Sequence, residues 1–227
     1  MEREERVAGS DPATSPSAAP SLGATLLHVA WLAILLGLGM EVLLLLVTGF
    51  GNFLGLRSFV ADTLKSVSWS VIVCAGLALG TTISKAQVPV MGFLGLLAAP
   101  LALEVSRAFH KGATEALTIT DTAPVVASPV LLALLKGVEY GCLGLAVAWL
   151  SQRPWGGAMA YVAVGFVVGV LFGSATLALT YQTAPELFST ADLISRGLNE
   201  IIFPVGCSLV LFSAGAIAEK TAKQDQP

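Results

Sequence analysis

Apolar residues in this chain gather into blocks near twenty long, separated by polar breaks. Six blocks stand out, at about 22–50, 66–84, 89–108, 129–150, 157–181 and 198–218. A helix of about twenty apolar residues spans roughly 30 Å of hydrocarbon. The pattern therefore predicts an all-α polytopic membrane protein: a bundle of about six transmembrane helices forming one domain over residues 22–218. Residues 1–21 are polar and rich in Pro, Ser and Ala, and are expected to form a flexible tail. A second polar tail is expected at 219–227. An acidic-mixed segment precedes a long first block, where a cleavable signal would put a basic segment before a short one, so the first helix is expected to stay as an anchor.

Pro89 and Pro129 stand at first-turn positions, where a missing N–H costs nothing. The third block, with Pro100 inside and Glu104 and Arg107 at its end, would also suit a re-entrant segment; a full crossing is the expectation. Six crossings put both termini on one side, the N face. Its turns are short, near 85–88 and 151–156. The far face carries three long segments, 51–65, 109–128 and 182–197, the kind of loop in which function tends to reside. Within the last, Ser189 or Thr190 is expected to cap a short interfacial helix near 189–197. Trp149 and Trp155 would anchor the N-face interface and Tyr181 the far one.

Composition agrees with the blocks. The chain is 227 residues, 55% hydrophobic and 12% charged, against about 25% charged in soluble domains, and its mean hydropathy is +0.81. The twelve basic residues divide six to each face, so the positive-inside rule assigns no orientation; cytoplasmic termini in a bacterial inner (cell) membrane are the expectation. A net charge of −3 without a basic patch argues against nucleic acid. Cys74, Cys142 and Cys207 each lie within an apolar block and read as small core residues rather than as disulfides or metal ligands.

The ionisable residues concentrate in one half of the membrane. Glu41 lies about two-thirds along helix one, and Lys136 and Glu139 lie in the first half of helix four. Lys65, Glu104, Arg107, Arg196 and Glu200 fall near helix ends on the far side. A charge at mid-bilayer costs at least about 2.5 kcal/mol, so Glu41 and Glu139 each need a partner, a proton or a wet cavity. Lys136 stands three residues before Glu139, on the same helix flank. Glu139, Glu41, Lys136, Glu200 and Glu104 are thus the candidate residues of an ion or substrate pathway. The five helix-end groups have a structural alternative, long side chains reaching the headgroups.

Small residues mark packing faces, where backbones approach closely in lipid. They are Gly165, Gly169 and Gly173 on helix five, Gly137 and Gly141 on helix four, and Gly76 and Gly80 on helix two. Glu139 lies about 200° round the helix from Gly137, away from that face. Two internal likenesses compete. "GLALGTT" (76–82) against "GVLFGSAT" (169–176) suits an inverted duplication of three-helix halves, while "ADTLKS" (61–66) against "ADLISR" (191–196) pairs helix two with helix six.

No phosphate-cradling glycine loop, HExxH or serine elbow is present. His28 and His110 are too few for transmembrane haem ligation. No cofactor, metal or enzymatic activity is expected. The leading expectation is a small transporter or channel subunit for an ion or small polar solute, its substrate unspecified, using the intramembrane carboxylates. The alternative is a structural or assembly subunit of a larger complex, whose partners, or further copies of the chain, would pair with those carboxylates. With the three native cysteines replaced, single cysteines at residues 86 and 120 are expected to react with impermeant reagent from opposite sides of the membrane. Reaction of both from one side would remove the third crossing.

Overall fold

A computed structural model of the chain describes residues 22–48, 56–81, 87–119, 128–183 and 189–224. The polar N-terminal tail, part of the 85–88 turn, residues 225–227 and parts of all three far-side segments lie outside the described residues. Those described form six helices and no strand: α1 (Leu22–Thr48), α2 (Leu56–Thr81), α3 (Gln87–Ala116), α4 (Pro129–Ser151), α5 (Ala158–Thr183) and α6 (Thr190–Gln224). All six are long and apolar enough to cross a membrane. The chain is a polytopic membrane protein.

The helices outrun the apolar blocks mainly at the far face. There α2 begins ten residues before its block (56 against 66), α3 ends eight after (116 against 108) and α6 begins eight before (190 against 198). Hydropathy reports where side chains leave hydrocarbon, whereas the i→i−4 ladder continues as long as each N–H has a carbonyl. The expected short helix at 189–197 is accordingly the first two turns of α6. Its start is a reciprocal cap: Asp192 N–H donates to Ser189 Oγ at 3.2 Å, and Asp192 Oδ2 accepts from Ser189 N–H at 3.1 Å. The far-side end of α3 closes by a Schellman pair, with Ile119 N–H on Thr114 O and Thr118 N–H on Glu115 O. Thr118 takes the left-handed position at φ 52°, unusual for a β-branched residue. Arg57 of α2 donates to the Leu117 carbonyl at 3.3 Å, so the starts and ends of neighbouring helices are tied on this face. α3 runs 30 residues as one helix through Pro100, about 45 Å, and is of crossing length.

The even-numbered helices α2, α4 and α6 touch one another, and each odd-numbered helix sits in a groove between two of them. α1 packs on α2 and α6, α3 on α2 and α4, and α5 on α4 and α6. Alternating chain direction makes the three inner helices parallel. An inverted duplication would equate outer α1 with inner α4, so the packing gives that internal likeness no support; α2 and α6, the helices of the rival likeness, occupy like positions.

Close backbone approach fills the grooves. A Cβ on Gly165 would stand 2.6 Å from Val205 Cα, on Gly169 2.6 Å from Ile201 O, and on Gly173 2.9 Å from Glu200 Cβ, so the small face of α5 seats α6. Gly137 and Gly141 of α4 face Leu96 O and Gly92 O of α3, while Gly76 and Gly80 of α2 meet Ala98 and Met91 of the same helix. Two prolines interrupt ladders at these seams. Pro100 leaves the Leu96 carbonyl without its i+4 donor opposite Gly137, and Pro204 does the same to Glu200 opposite Gly169. Hydroxyls add links: Ser208 donates to Tyr161 O at 2.9 Å, Ser66 to Gly37 O at 3.3 Å, and Ser70 to Ala33 O.

Gly169→Leu is expected to abolish or sharply reduce folded protein, since the added side chain enters the α6 backbone. Leu171→Ala, on a 63% exposed side chain, should change little. The yield of monodisperse protein after extraction in detergent compares the two; equal yields would remove the α5–α6 seam.

Candidate functional site

Lys136 and Glu139 lie seven and ten residues into α4, about 10 and 15 Å from its far-face end, and Glu200 lies ten residues into parallel α6. Equal depth on neighbouring parallel helices brings the three together. Lys136 Nζ donates to Glu139 Oε2 at 2.7 Å and to Glu200 Oε2. The side chains are 9% exposed for Lys136, 15% for Glu200 and 0% for Glu139, so burial deepens from Glu200 to Glu139. The neighbouring α4 turns explain the split in direction: Gly137 turns to α3, and Glu139 turns inward.

Such a cluster is costly unless paired, because Glu139 has lost its water and Lys136 and Glu200 most of theirs. Two carboxylates against one ammonium leave one formal negative charge when all are ionised. Glu139 Oε1 is buried and has no hydrogen-bond partner among the described residues. The cluster therefore has an unused acceptor and an unbalanced charge at the same place.

Towards the N face an aromatic layer and then a pair of thiols follow the charges. Each inner helix contributes one aromatic residue: Trp69 of α2 meets Tyr140 of α4 with ring centroids 5.7 Å apart and Phe203 of α6 at 6.3 Å, both edge to face. One turn further, the free thiols of Cys74 and Cys207 lie 3.2 Å apart, both fully buried. On α6 the order Glu200, Phe203, Cys207 follows one face, so charge, ring and thiol form successive layers.

The remaining sequence candidates lie elsewhere. Glu41 is half-buried where α1 meets α2, beside Ser66 and near Asp62 and Lys65. Glu104 is 64% exposed and pairs with Arg107 at 3.2 Å on the surface of α3. His110 meets Asp62 at 3.2 Å near the far face. Among the described residues no group of three or more His, Cys, Asp or Glu is arranged to hold a metal ion.

The depth of Glu200 follows from α6 beginning at Thr190. The Ser189–Asp192 capping pattern carries that signal locally, where hydropathy alone puts Glu200 at the helix end. Nothing in the sequence pairs Cys74 with Cys207, or Trp69 with Tyr140 and Phe203, because each contact joins different helices.

Comparison of the chain with protein-family models, curated proteins and solved structures finds no match. The class is thus defined by fold and site alone: a polytopic helical membrane protein, with six helices among the described residues and an ion cluster buried between its inner helices.

Lys136→Met is expected to destabilise the protein by roughly 3–5 kcal/mol, because it strands buried carboxylate charge. The loss should shrink when Glu139→Gln is already present, since both changes act on one pair. Glu104→Gln should cost less than about 1 kcal/mol, the range of exposed ion pairs. Denaturant unfolding in micelles measures all three, and an additive Lys136–Glu139 double variant would mean that the two do not interact.

Proposed function

We propose that the protein is a small transporter or channel subunit that moves an ion or small polar solute, with Lys136, Glu139 and Glu200 as its binding site. The observation that carries this reading is the unpartnered Glu139 Oε1 at the deepest point of a charged cluster enclosed by one chain. An assembly subunit would offer its intramembrane charges to neighbours. Here the most buried charge faces inward, and Glu104, a charge that does face outward, already has Arg107.

The layering supports an access pathway. Exposure rises from Glu139 to Glu200, and the aromatic layer stands between the cluster and the N face, as a closed gate would. Pro204, one turn from Glu200, removes a ladder hydrogen bond where α6 would have to bend for that gate to part. Glu41 and Glu104 fall outside this binding site. Within the same proposal the chain resides in a bacterial inner membrane with cytoplasmic termini, alone or as a homo-oligomer.

The test is flux in proteoliposomes, screened with gradients of protons, alkali cations and small polar solutes. Glu139→Gln, which keeps shape and hydrogen-bonding capacity, is expected to remain folded and to lower the flux at least tenfold. Wild-type flux from that variant, joined with loss of a co-purifying partner, would replace transport by the assembly role.

A further inference from the structure

Resting on that reading, we infer that the species taken up at the site is a single proton, accepted by Glu139 and exchanged with the far face. Three features of the cluster select it.

The first is charge. The cluster carries one excess negative charge, so an anion is repelled and a single positive charge brings neutrality. The second is coordination. Hard metal cations such as Mg2+ and Ca2+ take about six or more oxygen ligands. Here Oε2 of each carboxylate is already on Lys136 Nζ, the tethered ammonium standing where a metal cation would sit. A proton needs only one acceptor, and of the two carboxylate oxygens not on Lys136, Glu139 Oε1 is the buried one without a hydrogen-bond partner among the described residues. The third is access. Burial is complete at Glu139 and least at Glu200, while rings and thiols close the other direction.

The chemistry balances without a co-reactant. A proton delivered from far-face water forms an O–H bond at Glu139 Oε1, and the cluster passes from one net negative charge to none. Loss of that proton to water restores the carboxylate. Protonation weakens the hold of Glu139 on Lys136, whose ammonium keeps Glu200 as its partner, so one proton shifts Lys136 from two carboxylates to one. The titratable groups around Glu139 are Lys136 and Tyr140 of α4 and Glu200 and Cys207 of α6, with Cys74 of α2 lying against Cys207. The described helix α5 bears no charged side chain, and α3 meets this part of α4 through Leu96 and Pro100. Glu200 differs from Glu139 in staying partly exposed, so water already shares its charge.

Infrared difference spectroscopy of the full chain in lipid tests the assignment, because a protonated carboxyl has a C=O stretch distinct from a carboxylate. Lowering the pH is expected to raise one carboxylic-acid band that shifts in heavy water. The band should vanish in Glu139→Gln, persist in Glu104→Gln, and move in frequency without loss in Glu139→Asp, which keeps an acid at the site should Glu139→Gln fail to fold. Glu200→Gln should retain the band but alter its midpoint. An acid band unchanged in both Glu139 variants overturns the inference, as does a Glu139 carboxylate that responds to sodium or potassium at fixed pH and not to pH. Solute or ion flux with no Glu139 proton band would sink the proton assignment and leave transport standing. The band without flux of any species would uphold the proton site and sink transport.

Discussion

Keeping an ammonium and two carboxylates out of water constrains this structure more than any other single feature. The three ions tolerate burial only together, so α4 and α6, which run parallel, must hold Lys136 and Glu200 at one depth. Parallel neighbours in a chain of alternating crossings cannot be consecutive. An intervening helix, α5, must return across the membrane, and it has to lie close enough to both without opening the cluster. Its glycine face meets that need, with Gly169 and Gly173 pressed on the α6 backbone at Ile201 and Glu200.

The same logic extends to the rest of the bundle. In lipid, apolar area alone does not draw helices together, so close contact and interhelical hydrogen bonds do the holding. The seams α2–α3, α3–α4 and α5–α6 are lined by glycine, while α1 adds hydroxyl-to-carbonyl links from Ser66 and Ser70 of α2. The two prolines lie at glycine seams, Pro100 opposite Gly137 and Pro204 near Gly165 and Gly169. Tight packing and a missing ladder hydrogen bond thus fall at the same positions.

Layering along the inner helices gives the site its direction. Charge, aromatic rings and thiols succeed one another from mid-membrane towards the N face, and each layer draws on more than one inner helix. Exposure falls from Glu200 to Glu139, and the ring and thiol contacts follow on the N-face side of the charges.

Much of this was legible in the residues. Block length specified six crossings because the bilayer imposes its thickness on any chain that spans it. The three-residue step from Lys136 to Glu139 specified an ion pair on one helix flank, and the spacing of Gly165, Gly169 and Gly173 specified a packing face, because helical periodicity is local geometry. Hydropathy misjudged the far-side ends of α2, α3 and α6, since polarity marks the edge of hydrocarbon and not the end of a hydrogen-bond ladder. It thereby made Glu200 look like a surface group. Which helices lie inside, that Glu200 joins Lys136, that Glu41 faces α2 instead, and that Cys74 meets Cys207 were decided only by tertiary structure. Each depends on the rotation and depth of one helix against another, and those are set by the sum of backbone contacts along whole seams rather than by any residue's own neighbours in the chain.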